Sequence, residues 1–505
     1  MEVIVALDAG TTGITAIAVD RQGHVVKKFY REITQHYPKP GWVEHDAEEI
    51  WMVARAALAE VIAEHQAVAL GITNQRETVV AWDNQTGRPL HRAIVWQCRR
   101  TEELCRELRS HEPMIRRKTG LVLDPYFSAT KMTWLLQNVP SVAQAQKDGR
   151  LAFGTVDSWL VYNLTGNHHT DFTNASRTML LNIRPGKQQD RAPAEESSDD
   201  AETAEPLCAP EAFEWDEELL DLFGVPAWSL PAVLPSIGDY GRWNGIPVAG
   251  VAGDQQAALV GQLGLRPGSA KNTYGTGCFL MVNTGAEAVE SKSGLITTLC
   301  CGPRGIPAYA LEGSVFVAGA VVQWLRDGLG LIKTAQETEE LARRVKDTQG
   351  VYLVPAFVGL GAPYWDAKAR GAIVGITRGV SRECIVAAAL QSIAYQTRDL
   401  IECVRQDTGS VPRELKVDGK ATSNNYLMQF QADILGIRVS RPENIDTTSL
   451  GAAFLAGLAL GFWKPSELLN VRKIGITFEP RMPSEERERL YAGWKEAVER
   501  VRSKG

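Results

Sequence analysis

The sequence predicts an α/β protein of two domains with a functional cleft between them, and three observations predict it. The chain of 505 residues is too long for a single core, so two domains of roughly 250 residues are the default. An apolar strand-like run, Val248–Gly253, stops abruptly at Asp254-Gln255-Gln256, which open an apolar helical pattern through Ala257, Ala258, Leu259, Gly261 and Leu263. That puts a carboxylate at a strand's carboxyl end, where open α/β sheets hold ligands. Two hairpins of the same shape occur, one per half: Val3–Leu7 and Ile14–Val19 around Asp8–Gly13, and Asn272–Gly277 followed by Cys278–Val282. Their echo suggests an internal duplication with the active site between the copies.

Composition narrows the class. The chain is 44% apolar and 23% charged, as in an ordinary soluble globular protein. A formal net charge of −6 argues against nucleic acid or an anionic membrane as the main partner. The cysteines include the neighbours Cys300 and Cys301 but no C-x-x-C, which reads as reduced thiols in a cytoplasmic protein. The first residues run straight into a strand without a basic leader. The longest apolar run, Leu450–Trp463, is short and rich in Gly and Ala, so it reads as a buried helix and not a membrane span.

Taken in order, Asp46 caps a helix with Glu49 three residues on, and Ile50, Val53, Ala57, Leu58 and Val61 mark its apolar face. Val68–Thr73 and Thr78–Trp82 are strands, with the polar run Asn74-Gln75-Arg76-Glu77 between them. Strand alternation would send Arg76 and Glu77 to opposite faces. Both can face one ligand only if the strand has already ended; otherwise they are a solvated surface pair. Ala93–Trp96 is a further strand, Asp124–Phe127 a loop, and Thr130–Gln137 starts a helix. The segments Phe153–Trp159 and Asp171–Arg177 read as polar-aromatic loops, able to line a cleft or to serve as ordinary connections. From Pro185 to about Ala212 the composition shifts to Pro, Ala, Glu, Asp and Ser, which reads as a disordered or loosely held insertion without catalytic role. Pro231–Pro247 carries enough Pro and Gly for a crossover between domains, expected as 1–245 and 246–505. Beyond it come a helix from Ser314 to Leu329, a strand at Val351–Pro355, a long helix over Glu383–Gln406, a short strand Leu415–Val417 stopping at Asp418-Gly419-Lys420-Ala421, and helices at Asn424–Leu435 and Thr448–Leu460.

Several of these stretches together resemble a known family. Tyr37–His45, Gly71–Thr78, Ile94–Arg100, Gly253–Leu259, Lys271–Phe279 and Tyr395–Asp399 are similar to the glycerol kinases of the FGGY carbohydrate kinase family, in the actin/Hsp70/sugar-kinase superfamily. The resemblance covers nearly the whole chain except 185–212. It implies two ribonuclease-H-like (actin-like ATPase) domains, with the polyol bound mainly by the first and the nucleotide by the second. The implied activity is ATP-dependent phosphorylation of glycerol to sn-glycerol 3-phosphate, with ATP and Mg²⁺, in a homo-oligomer (dimer or tetramer).

Position by position, Arg76, Glu77, Tyr126, Asp254 and Gln255 match residues that hydrogen-bond glycerol, and Trp96 and Phe279 match the aromatic walls on its carbon side. Thr11, Thr12, Gly13 and Thr276 match phosphate-side positions. Gly319, Gln323, Lys420 and Asn424 stand at nucleotide-contact positions, and Asp8 matches a carboxylate near the magnesium. A triol has hydroxyls on one edge and CH on the other, so a charged pair, a tyrosine and an amide opposite aromatic walls suit both edges. An aspartate is a weak base at neutral pH, so the role implied for Asp254 is to orient the attacking hydroxyl and take its proton late in the transfer.

Two departures stand out. Thr15 replaces the family's usual arginine, and Lys420 replaces a glycine that packs against the nucleotide. The loop from Asp239 to Ile246 also lacks the glycine-rich basic insert of some bacterial members. These departures leave open a nucleotide- or polyol-binding protein with impaired catalysis, and an FGGY kinase for another small polyol or ketose.

Overall fold

A computed structural model describes residues 1–184 and 213–503; the insertion expected at about 185–212 lies outside the described residues. Two sheets dominate the molecule, and they share one plan. In the first, Glu2–Ala9 pairs antiparallel with Gly13–Val19, which pairs antiparallel with Val25–Glu32. On its other side Glu2–Ala9 pairs parallel with Gln66–Asn74, and that strand pairs parallel with Ile246–Gly253. In the second, Ala270–Tyr274 pairs antiparallel with Cys278–Gly285, which pairs antiparallel with Pro307–Val315. Ala270–Tyr274 pairs parallel with Glu414–Asp418, and that strand pairs parallel with Arg438–Pro442. The repeated order is the duplicated, ribonuclease-H-like arrangement that the hairpin echo predicts.

Apolar periodicity decides which helices cover these sheets. Helix Ala47–Ile62, capped by the Asp46 side chain on the backbone N–H groups of Glu48 and Glu49, buries Ile50, Val53, Ala57, Leu58 and Val61 on the first sheet. Helix Arg382–Thr408 buries Ile393, Ala394 and Leu400 in the core of the second, and Leu390 in a smaller cluster with Ala342. The Gly- and Ala-rich helix Thr447–Ala459 is buried, as its composition predicts. It packs on the strands of the first sheet and against helix Asp254–Gly261, so late chain returns to close the first core. Among the described residues no helix is long and apolar enough to cross a membrane.

Four expectations are corrected. Strand Ile246–Gly253 hydrogen-bonds within the first sheet, so by sheet membership the first half runs past the expected boundary at 245/246. The segment 231–247 is not a crossover: Ala232–Leu234 pairs with His169–Asp171, and Tyr240 is buried among the first sheet's apolar residues. The two polar-aromatic segments are ordered as strand-to-helix turns, Leu151–Thr155 into Val156–Thr165 and His169–Asp171 into Phe172–Ala175. Their polar residues satisfy one another inside the core, which short-range composition cannot reveal. The helix expected from Ser314 begins at Gly319, because Ser314 and Val315 finish a strand of the second sheet.

Candidate active site

The strand Gln66–Asn74 ends where the polar run begins, and Glu77 then takes a left-handed backbone with φ 61°. The chain thereby escapes strand alternation, and Arg76 and Glu77 turn into one site, each only 2% exposed. They are not a solvated pair. Arg76 donates from Nη1 to Glu312 Oε2 (2.6 Å) and Gln256 Oε1 (3.2 Å), and from Nη2 to Glu312 Oε1 (2.9 Å). Its Nε stands 3.1 Å from Asp254 Oδ1 and 3.8 Å from Glu77 Oε1, yet makes no aligned hydrogen bond. A buried donor of that kind is available to a hydroxyl.

Two partners in this network escaped sequence reasoning. Arg177, after the short helix Phe172–Ala175, donates from Nε to Glu77 Oε1 (2.6 Å) and from Nη2 to Glu312 Oε1 (3.1 Å). Glu312 sits mid-strand in Pro307–Val315, a run in which every residue is buried. A lone glutamate in an apolar strand was the one available signal. Burial alone would raise the Glu312 carboxyl, but the Arg177 and Arg76 guanidiniums overcome it and hold it at about 2. At Glu77 burial outweighs the same two arginines, and its carboxyl is raised. Buried charges of this kind are tolerated only when paired.

Asp254 opens helix Asp254–Gly261 straight from strand Ile246–Gly253. The strand end is pinned by Gly253 N–H donating to Thr173 Oγ1 (2.9 Å). A side chain at Gly253 would stand 2.7 Å from the Arg76 side-chain carbons, so glycine there lets Arg76 reach Asp254. Tyr126 lies within electrostatic reach of Glu77 and Arg76, and Trp96 meets it edge-to-face with ring centroids 5.5 Å apart and meets Phe279 at 6.2 Å. Trp96 and Tyr126 come from the first half, Phe279 from the second. Tyr126 is held by Lys131, a buried ammonium that donates to the carbonyls of Pro125, Tyr126 and Phe127 at 2.6–2.9 Å. Burial lowers that lysine's pKa to about 8. The Trp96 indole N–H donates to Thr11 Oγ1 (2.9 Å), tying the aromatic wall to the first hairpin tip. Gln255 is buried, and its Oε1 accepts from the Lys271 ammonium.

A second space adjoins the two hairpin tips: a cleft of about 730 Å³ lined by Thr12, Thr276, Gly319, Gln323, Lys420 and Asn424 among others. Backbone builds much of it. Gly319 N–H donates to Gly275 O (2.9 Å) and Ala318 N–H to Thr276 O (2.8 Å). Gly419 has φ 89°, and a Cβ there would lie 2.5 Å from Tyr274 O, so only glycine lets the 418–421 turn close on the tip. Asn424 caps helix Asn425–Leu435 through Oδ1 to Leu427 N–H (3.0 Å) and donates to Thr338 Oγ1 (3.1 Å). Gly13 does not line the cleft; it packs under Tyr30 and the Arg31 carbonyl. Two cations do line it. Arg326 is paired with Asp327 (2.7 and 2.8 Å), whereas Lys420 has no ion pair among the described residues and stands 5.9 Å over the Tyr30 ring of the first half. Tyr30 is the cross-strand partner of Thr15, and Thr15 that of Asp8. The Lys420 ammonium therefore reaches the neighbourhood in which Thr15 stands for an arginine.

Asp8 is the penultimate residue of the first strand. Burial, with the Asp446 and Asp254 carboxylates nearby, pushes its carboxyl well above the usual range. A carboxylate crowded in this way suits a divalent cation shared with phosphate oxygens. Among the described residues no group of three or more His, Cys, Asp or Glu forms a ready-made cage.

Comparison with known proteins identifies the family. Residues 3–193 match the N-terminal domain, and 270–460 the C-terminal domain, of the FGGY family of carbohydrate kinases. A glycerol kinase of Pseudomonas putida (strain F1) is 52% identical over 510 residues, covering 99% of this chain and 97% of its own. Glycerol kinase 2 of Thermotoga maritima is 52% identical over 516 residues, covering 99% of each. The crystal structure of Plasmodium falciparum glycerol kinase with ADP superposes with a TM-score of 0.87 at 35% identity, over 100% of this chain and 99% of that one.

Proposed function

The chain belongs to the FGGY family of carbohydrate kinases, and on that premise we propose that it is an ATP-dependent glycerol kinase making sn-glycerol 3-phosphate by in-line phosphoryl transfer. The observation that carries the substrate reading is the convergence of Arg76, Glu77 and Asp254, with Tyr126 in electrostatic reach of Glu77 and Arg76 and in ring contact with Trp96, which in turn meets Phe279. Arg76 Nε offers a buried donor, Glu77 and Asp254 offer acceptors, and the rings cover the CH edge, the complement of a small triol. Asp254 is the general base: fixed beside Arg76, it orients the attacking hydroxyl and receives its proton as the bond to phosphorus forms. The Trp96–Thr11 hydrogen bond sets the polyol wall against the tip whose neighbours Thr12 and Thr276 face the cleft. In this reading the cleft residues hold the nucleotide, Lys420 lies near its polyphosphate, and Asp8 faces the metal. Magnesium, when bound, supplies neutralisation of the charge on the transferred group.

The test is a coupled assay of glycerol, ATP and Mg²⁺, run beside ketopentoses and gluconate. Phosphate transfer to glycerol with the highest kcat/KM supports the reading. Nucleotide binding without turnover of any polyol would favour a binding protein, and preference for a ketose would move the substrate. A homo-oligomer and a cytoplasmic location belong to the same proposal, read by sedimentation and by fractionation.

A further inference from the structure

We propose that Lys271 is a positioning residue that fixes the Gln255 carboxamide so that its N–H₂ edge, and not its oxygen, meets the polyol. The proposal rests on the glycerol kinase reading and names how one of its contacts is oriented. Lys271 lies on strand Ala270–Tyr274 of the second sheet and is fully buried. Its ammonium donates to Gln255 Oε1, to Thr273 Oγ1 (3.0 Å) and to Phe279 O (3.4 Å). All three acceptors are neutral, so no carboxylate has captured the charge. An ammonium carries only donors; the amide oxygen must therefore turn towards it, leaving Nε2 free of other hydrogen bonds. Asp254, next in the chain, presents acceptors only. With Lys271 in place, adjacent residues offer the polyol an acceptor and a donor, which suits two neighbouring hydroxyls.

The tie also crosses the molecule. Gln255 opens the helix that follows the last strand of the first sheet, whereas Lys271 and Phe279 belong to the second. One ammonium thus holds an amide and an aromatic wall of the same site in register. Around it stand Asp418 on the parallel neighbour strand, Asp254 at the helix start, Glu312 on strand Pro307–Val315, and Arg76 beyond strand Gln66–Asn74. Lys416, opposite in register, is turned away onto Gln262 O (2.9 Å). Burial lowers the Lys271 pKa to about 8, against the pull of the three carboxylates. Above that pH the bond to Gln255 loses its charge assistance and the amide is held less tightly.

The experiment measures KM for glycerol and kcat from pH 6 to 9.5 for the wild type, Lys271→Met, Lys271→Arg, Gln255→Ala and the Lys271→Met/Gln255→Ala double variant, with thermal unfolding of each. A lost charge-assisted hydrogen bond predicts a roughly tenfold rise in KM for Lys271→Met with a smaller change in kcat. In the Gln255→Ala background the same change adds less than about threefold. The wild-type KM rises above pH 8, and that limb is absent in Lys271→Met. Equal factors in both backgrounds, or an alkaline limb that persists without the lysine, overturn the proposal. If Lys271→Met does not fold, Lys271→Arg decides: a charge that does not titrate flattens the limb, and an unchanged limb overturns it. A wild type inactive on glycerol overturns the functional reading and this one with it, whereas an active wild type with additive variants overturns Lys271 alone.

Discussion

The buried charge network around Arg76 and the cleft beside the hairpin tips are built in opposite ways. In the network Arg76, Glu77, Arg177 and Glu312 are each at most 2% exposed and paired with one another. The cleft is open, with exposed Thr12, Thr276, Gln323 and Lys420 around glycine-rich backbone. A small neutral substrate cannot compensate buried charge, so its site has to arrive already neutralised and oriented. A polyanion brings its own charge, so backbone N–H groups, hydroxyls and a mobile cation are enough to receive it.

The largest break in that comparison is Glu312→Ala. It leaves two buried guanidiniums without their shared carboxylate, which costs ~3–5 kcal/mol, read as a lower denaturation midpoint. A loss under about 1 kcal/mol would mean that the network is not held by charge. Asp254→Asn keeps the shape and removes the proton acceptor, so kcat falls at least ~10²-fold while glycerol binding by calorimetry is little changed. Near-normal kcat would end its assignment as the base.

Acid separates the halves next. All eight histidines lie in the first half, and burial holds His45 and His168 at about 4. His45 donates from Nε2 to Gln35 Oε1 (2.8 Å) and accepts at Nδ1 from Gln75 (3.2 Å), and the bond from Gln75 needs the neutral ring. A folded-state pKa below the unfolded value contributes stability that is full above about pH 6.5 and is lost as pH falls towards 4. The slope is at most ~1.4 kcal/mol per pH unit for each ring. His45→Gln should flatten that slope in unfolding titrations; an unchanged slope would put acid sensitivity elsewhere.

The smallest effect sharpens the cleft. Lys420 reaches the strand neighbour of Thr15, so it can replace the missing arginine as a cation near polyphosphate. Lys420→Gly alone should raise KM for ATP severalfold, about 1 kcal/mol, and do so less when Thr15→Arg is present. If Lys420→Gly improves kcat/KM for ATP, the lysine is an obstruction and not a replacement.

Much of the architecture was legible because it is written in local periodicity. The face of helix Ala47–Ile62, the two hairpins and the strand stop at Asp254 each follow from spacing alone, and the echo of the hairpins points to duplicated sheets. Asn74–Glu77 declared itself as a strand ending in charge. Whether that charge was paired in solvent or in the core depended on Arg177 and Glu312, which lie 100 and 235 residues further along the chain from Glu77.

By itself, then, the sequence determined the main helix faces, the two hairpins, the strand stop at Asp254 and which family's motifs the chain bears, since these depend on neighbours within a few positions. Tertiary structure alone decided that Ile246–Gly253 and Thr447–Ala459 belong with the first sheet, that Glu312 neutralises Arg76, and that Lys271 faces an amide instead of a carboxylate. Those are outcomes of burial: a charge inside the protein takes whichever partner the packed backbone brings within about 3 Å, and sequence separation has no bearing on that distance.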